Sequence, residues 1–243
     1  MSSGLIPPAK QVFTLTLLRH LRGLFLKKFG FCREISPNIL TKSINYIQYI
    51  IYVFYGVRCV RIISGQSRGR KLVAPEGLGT RPTTDRVKES MFNLIIPYLP
   101  AKNVLDLFAG SGALGIEALS RNSEHCVFVD TAKAALSAIK KNLELSRQTE
   151  KADVLSVDSL AYLSRANTKF DLIFVDPPYN KGILTKSIEF IFKYRLLSDD
   201  GIIVAESEVG GEEPPSGCFE VLKRAKYGKT TVFVLGDPQN TGR

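Results

Sequence analysis

Histidine and cysteine are scarce in this sequence. Only His20 and His125 occur, and Cys32, Cys59, Cys126 and Cys218 lie far apart with no C-x-x-C pair. That spacing argues against a zinc or iron–sulfur site and against a disulfide framework, so no metal is expected. Cys126 reads as a small core residue in a strand. Long apolar runs are missing too. The stretch from Ile44 to Val57 is mostly Ile, Tyr, Val and Phe, but Asn45 and Gln48 interrupt it. It is shorter than the roughly 20 apolar residues of a spanning helix, so no stable membrane association is expected. Acid is missing from the start of the chain, where nothing acidic precedes Glu34. Hydroxyl residues with scattered Arg and Lys there give a transit-peptide-like composition. Residues 1–59 stay open between a targeting segment, an anchor, and an upstream stretch the cell does not make, with Val57 or Val60 near the true start. Cytoplasmic residence is expected, or an organelle if the segment is a targeting signal.

What is present is basic. The formal net charge is +10, and it is unevenly placed. Residues 1–57 carry seven Lys and Arg against Glu34 alone, and residues 58–100 carry eight against Glu76, Asp85 and Glu89. The remainder of the chain is nearly neutral. A basic segment ahead of a neutral body reads as a phosphate-binding surface, or as an ordinary solvated face. Residues 60–75 alternate and contain Gly65 and Gly69, which suggests an antiparallel hairpin of Arg61–Ser64 with Arg70–Ala74. Arg68, Arg70 and Lys71 fall on it. Thr84-Asp85 then looks like an N-cap, and Val87, Met91, Leu94 and Ile95 recur at helical spacing up to Pro97.

The body alternates. Strands are expected at 103–107, 126–130, 152–157, 171–175 and 201–206, with helices near 113–121, 132–146, 159–165 and 183–195. Such alternation implies an α/β fold with a doubly wound, parallel sheet. Phe219–Leu222 and Thr230–Leu235 flank Tyr227-Gly228-Lys229 and read as a final pair of strands. Ligands of such sheets bind beyond the C-terminal strand ends. At one of those ends stands Asp176-Pro177-Pro178-Tyr179, after the apolar run Leu172-Ile173-Phe174-Val175. The carboxylate and a carbonyl held by proline can accept from an exocyclic amine, and the tyrosine ring offers a face for a base. A strand followed by a stiff turn is the plainer reading.

At an earlier end, Val104-Leu105-Asp106-Leu107-Phe108-Ala109-Gly110-Ser111-Gly112-Ala113-Leu114-Gly115 reads as strand, glycine turn and helix start. Gly110, Gly112 and Gly115 fit G-x-G-x-x-G, which nicotinamide, flavin and adenosyl cofactors share. Asp106 separates them. A carboxylate beneath the ligand repels a pyrophosphate and suits a cationic sulfonium; a structural acid capping the turn is the alternative. Asp130 ends the next strand, where an acid binds ribose hydroxyls, and Asp158 ends the one after, where an acid can accept from adenine. Each acid alone is more often a helix cap.

These ordered motifs resemble class I S-adenosylmethionine-dependent methyltransferases acting on amino groups of bases. A further segment narrows the resemblance. Arg61-Ile62-Ile63-Ser64-Gly65-Gln66-Ser67-Arg68-Gly69-Arg70-Lys71-Leu72 leads into Thr80-Arg81-Pro82-Thr83-Thr84-Asp85-Arg86-Val87-Lys88-Glu89-Ser90-Met91-Phe92-Asn93. From about Val60 to about Asp237 the chain is similar to the bacterial RsmD-type enzymes, which methylate guanine N2 in small-subunit (16S) ribosomal RNA. The resemblance implies a seven-stranded, mostly parallel Rossmann-like sheet whose last strand runs antiparallel. It implies three parts: the extension 1–59, an RNA-facing hairpin and helix over 60–100, and a methyltransferase domain over 101–243. It implies S-adenosylmethionine as cofactor, held by Asp106, Phe108, Gly110, Gly112, Asp130 and Asp158. Catalysis would fall to Asp176, Pro177, Pro178 and Tyr179, and RNA contact to Arg68, Arg70, Lys71, Arg81 and Arg86. A monomer acting on ribosomal RNA within a small-subunit particle is expected. Three other readings stay open: a DNA adenine-N6 methyltransferase, a catalytically silent RNA-binding assembly protein, and a nicotinamide oxidoreductase.

Overall fold

Parallel strands buried on both faces need near-continuous apolar sequence, and the central strands here have it. The structure, a computed structural model, describes residues 60–75, 85–178 and 182–237. In chain order the elements are α1 (Asp85–Leu94), β1 (Asn103–Asp106), α2 (Ala113–Ser120), β2 (His125–Asp130), α3 (Lys133–Ser146), β3 (Ala152–Ser156), α4 (Ser159–Leu163), β4 (Phe170–Val175), α5 (Ile183–Lys193), β5 (Leu197–Glu208), β6 (Glu220–Tyr227) and β7 (Thr230–Gly236). The sheet has the order β3-β2-β1-β4-β5-β7-β6. The first five are mutually parallel, and β7 runs antiparallel to β5 and β6. Strand order reverses between β1 and β4, which opens a crevice at their C-terminal ends.

Side-chain alternation divides the core into two layers. Val104, Phe128, Leu172, Phe174, Val204 and Val234 pack with Met91 and Phe92 of α1, Ile116 of α2 and Ile139 of α3. Leu105, Ile173, Val175, Ile203 and Phe233 pack on the other face with Leu184, Ile188 and Ile191 of α5. The face that a strand residue takes therefore fixes which helices it meets.

Three elements differ from expectation, and of these β5 runs Leu197–Glu208, past the expected 201–206 at both ends. The hairpin pairs through one antiparallel bridge, Arg61 with Lys71, flanked by Ile62 N–H to Arg70 O at 2.9 Å and Leu72 N–H to Val60 O at 2.7 Å. It is narrower than the expected ladder because the Ile63 and Ser64 amides turn away to the Glu117 carboxylate, at 2.7 and 2.9 Å. β6 runs to Tyr227, well past the expected Leu222. Lys223, Arg224 and Lys226 mask it in the sequence, and such charges are the usual protection of a sheet edge.

The hairpin is pressed hard onto the body. Gly65 takes φ +82°, and a Cβ there would lie 1.8 Å from the Ser120 carbonyl oxygen. Ser120 Oγ donates to Ser64 O at 2.6 Å and accepts from Ser67 N–H at 3.0 Å. Asn142 of α3 holds Val73 by both its amide and its carbonyl. No helix among the described residues is long and apolar enough to cross a membrane.

Candidate active site

β1 ends on Asp106, which is buried and accepts from Gly115 N–H at 3.0 Å. The acid thus ties the strand end to the first turn of α2 across the glycine turn. Burial, joined by the charge of Asp130, pushes its pKa up to about 7 against the Gly115 bond. A raised carboxyl pKa favours the protonated form in the folded state. Its contribution to stability is full below 3.8, the unfolded value, and is lost as pH rises through about 7. Asp106→Asn keeps an acceptor for Gly115 and removes that titration. Urea unfolding between pH 4 and 8 should show a flatter stability curve for the variant than for the wild type.

The glycine turn has one filled side and one open side. At Gly115 a Cβ would lie 2.4 Å from the Phe128 ring, so α2 packs directly on β2. At Gly110, whose φ is +54°, the nearest neighbour of a Cβ would be Phe108 O at 4.0 Å. Space above Gly110 therefore admits a ligand to the backbone. Asp130, at the end of β2, accepts from Gly110 N–H at 2.9 Å and from Ala132 N–H at 2.8 Å. Its carboxylate is locked in orientation while staying half-exposed. The structure so brings Asp106, Gly110, Gly112 and Asp130 into one constellation, with Phe108 half-buried inside the turn. Asp158 is the exposed N-cap of α4, accepting from Ala161 N–H at 3.0 Å. It stands at the end of β3, two residues past Ser156, the register partner of Asp130.

Across the crevice β4 ends at Val175, and Asp176 and Pro177 follow, half-buried and buried, with Pro178 exposed. Tyr179 lies outside the described residues. Pro177 and Pro178 line a shallow cleft together with Leu184, Glu206, Ser207, Glu208 and Glu212. Glu212 accepts from Gly182 N–H at 2.7 Å and from Thr185 N–H at 3.3 Å, capping α5. The sequence showed only a loop at Glu212-Glu213-Pro214-Pro215. An acid able to cap a helix is visible there, but not which helix it meets.

The basic residues divide. Arg68, Lys71 and Arg86 are exposed. Arg70 is half-buried, and its guanidinium donates to the Leu145 carbonyl near the C-terminus of α3, a site that favours a cation. Arg81 lies outside the described residues. Asp85 pairs with Arg61 at 3.2 Å, not with a neighbour on its own helix. Among the described residues no cluster of His, Cys, Asp and Glu is arranged to hold a metal ion.

A buried network that sequence reading missed underlies this region. Lys88 and Glu117 are both fully buried and pair at 3.0 Å, and Arg121 reaches the other oxygen of Glu117 at 3.0 Å. Lys88 Nζ also donates to Arg61 O at 2.6 Å. Burial lowers the Lys88 pKa, and the Glu117 charge opposes that. The available signal was a lone acid inside the apolar helix Ala113–Ser120.

Comparison with known proteins bears on this arrangement. Residues 60–236 match the family model described as conserved hypothetical protein 95. The ribosomal RNA small subunit methyltransferase D of Escherichia coli K12 is 41% identical over 176 residues, covering 72% of this chain and 88% of that protein. YlbH of Bacillus subtilis, provisionally named an rRNA methyltransferase, is 45% identical over 179 residues, 72% of this chain and 97% of its own. The solved structure of the Escherichia coli protein yhhF is 35% identical, with a TM-score of 0.65 over 74% of this chain and 98% of that one. A match of this length and identity has one consequence: the chain belongs to the RsmD family, the one described as conserved hypothetical protein 95.

Proposed function

We propose that this protein transfers a methyl group from S-adenosylmethionine to the exocyclic N2 amine of a guanine in small-subunit ribosomal RNA. The observation that carries the reading is the facing of two half-sites across the β1–β4 crevice. One is the glycine turn clamped by Asp106 and Asp130. The other is Asp176-Pro177 at the end of β4, with a cleft beside it. The names of the relatives support the substrate class.

The donor set fits this cofactor. Asp130 is oriented to accept from ribose hydroxyls, and the open side of Gly110 gives a ligand access to the backbone. Phe108 and Gly112 complete the turn, Asp158 offers an acceptor to adenine, and Asp106 lies beneath, where a bound sulfonium cation would favour its ionised form. When bound, S-adenosylmethionine supplies an electrophilic methyl group on a sulfonium. The chain's own task is position and electrostatics. A guanine N2 lone pair is delocalised and weakly nucleophilic. Asp176 accepts one N–H and the Pro177 carbonyl the other, which localises the lone pair and aims it. N2 would take the methyl carbon from the sulfonium, whose bond to it would break to leave a neutral thioether, and the N2 proton held by Asp176 would pass to solvent. Tyr179 stacks on the base after it is flipped out, since chemistry on a stacked base requires extrusion.

The test is incorporation of labelled methyl into rRNA, small-subunit particles and DNA, with mass spectrometry of the product nucleoside. N2-methylguanosine is expected; N6-methyladenosine in DNA would refute the reading. Asp130→Ala should weaken cofactor binding, since each lost hydrogen bond contributes about 0.5–1.5 kcal/mol. Calorimetry is the direct check, and an unchanged affinity would detach Asp130 from the cofactor. The exposed Arg68, Lys71 and Arg86, with Arg70 and Arg81, would meet RNA phosphates. Changing Arg68 and Lys71 to Ala should flatten the salt dependence of RNA binding. On single strands the log–log slope falls by about 0.7 for each phosphate that is no longer neutralised. An unaltered slope would place the RNA elsewhere.

A further inference from the structure

Sheet register places a second carboxylate beside the proposed acceptor. β4 and β5 are parallel neighbours, and Val175 is the register partner of Ala205. One residue on stand Asp176, just past the end of β4, and Glu206, still within β5. Residues level with each other on adjacent strands lie about 5 Å apart and point to the same face. Leu172 and Phe174 on β4, and Ile202 and Val204 on β5, all pack in the layer that holds α1 and α2. Alternation sends Glu206 to that same side, and Asp176 is the first residue beyond β4 at the same level. Glu206 is 4% exposed, accepts from Thr230 Oγ1 at 3.3 Å, and lines the cleft with Pro177 and Pro178. A carboxylate has about four lone-pair positions, so the bond from Thr230 alone does not fill it. Glu208 and Glu212 line the cleft as well; Glu212 caps α5 through the Gly182 and Thr185 amides, and Glu208 is the last residue of β5, two positions beyond Glu206.

We infer that Glu206 is the specificity residue for the base: it accepts the N1–H of the target guanine while Asp176 accepts from the N2 amine. This rests on the guanine-N2 reading above. Guanine presents N1–H and N2–H side by side, a row of donors that matches two adjacent acceptor carboxylates. Adenine presents a lone pair at N1, which a carboxylate repels. The pair Asp176 and Glu206 thus selects guanine where Asp176 and Pro177 alone would accept either amine.

The base 2-aminopurine separates the roles, because it keeps the N2 amine but carries a lone pair at N1. Small-subunit particles would be reconstituted around rRNA with guanine or 2-aminopurine at the methylated position, located first by mass spectrometry. Wild-type enzyme should prefer guanine by at least about 100-fold; sites built to hydrogen-bond a substrate group can reject analogues lacking it by about 10⁴–10⁵. Glu206→Gln keeps size and an acceptor for Thr230, and its amide can donate to a bare N1. The ratio of guanine to 2-aminopurine methylation should fall at least ~10-fold in the variant, about the effect of exchanging a charged acceptor for a neutral group that can donate. Cofactor affinity should not change. A role in folding alone would lower both activities together and leave the ratio fixed, and that result overturns the assignment. Equal use of both bases by the wild type overturns it without any variant. Failure of the wild type to methylate guanine at all would instead remove the guanine reading, and this assignment with it.

Discussion

Asp176→Ala should lower single-turnover methyl transfer by about 100-fold or more while leaving cofactor affinity near that of the wild type. Removing one preorganised partner of a developing charge typically costs about 10²–10³ in rate. Asp176 follows Leu172-Ile173-Phe174-Val175, all buried in a strand with neighbours on both sides. The carboxylate is therefore carried by a rigid support, which lets it act without reorganising. The cofactor half-site hangs on β1 and β2 through Gly110, Gly115 and Ala132, so its integrity does not depend on Asp176. Asp176→Asn keeps one acceptor oxygen and should lose less. Rapid-quench assays with labelled donor, paired with calorimetry, read both quantities. Near-normal transfer by a folded Asp176→Ala enzyme would take the carboxylate out of the mechanism.

Glu117→Ala should be the most destabilising single change in the body. Glu117 accepts from the Ile63 and Ser64 amides, the Lys88 ammonium and Arg121. Alanine strands the fully buried Lys88 ammonium and takes their acceptor from the part-buried Ile63 and Ser64 amides and Arg121; breaking such a buried pair costs about 3–5 kcal/mol. For a domain of this size each kcal/mol lowers Tm by about 2–4 °C, so a drop on the order of 10 °C is expected. Replacing Lys88 with Met alongside Glu117→Leu removes the stranded ammonium and should recover part of the loss. It does not recover the Ile63 and Ser64 amides, so the hairpin should open before the sheet. Urea unfolding of the double-mutant cycle, with hydrogen exchange at residues 60–75, checks both statements. A loss below about 1 kcal/mol for Glu117→Ala, the scale of an exposed pair, would mean the network does not anchor the hairpin.

Amide donors drawn to Glu117 also explain why the hairpin departs from its expected ladder. Periodicity in residues 60–75 announced two extended arms and a turn. It carried nothing about an acid fifty-three and fifty-four residues away that would take two of the backbone donors. Arg70 shows the same limit. Its charge and loop position suggested phosphate, but they gave no sign of the bond it makes to the Leu145 carbonyl at the end of α3. β6 escaped notice at its far end because Lys223, Arg224 and Lys226 break the apolar pattern.

Local sequence was enough to set the alternation of strands and helices, and with it the doubly wound sheet. It was also enough to put Asp106, Asp130, Asp158 and Asp176 at or just beyond strand ends, because burial is written locally as apolar runs that end where the chain leaves the core. What those ends face depends on the assembled sheet. The buried Lys88–Glu117–Arg121 network, the cap that Glu212 places on α5 and the setting of Glu206 beside Asp176 all join residues far apart in the chain. Such pairings follow from strand order and register, which are set by many weak contacts summed over the whole sheet, and no local stretch of sequence carries that sum.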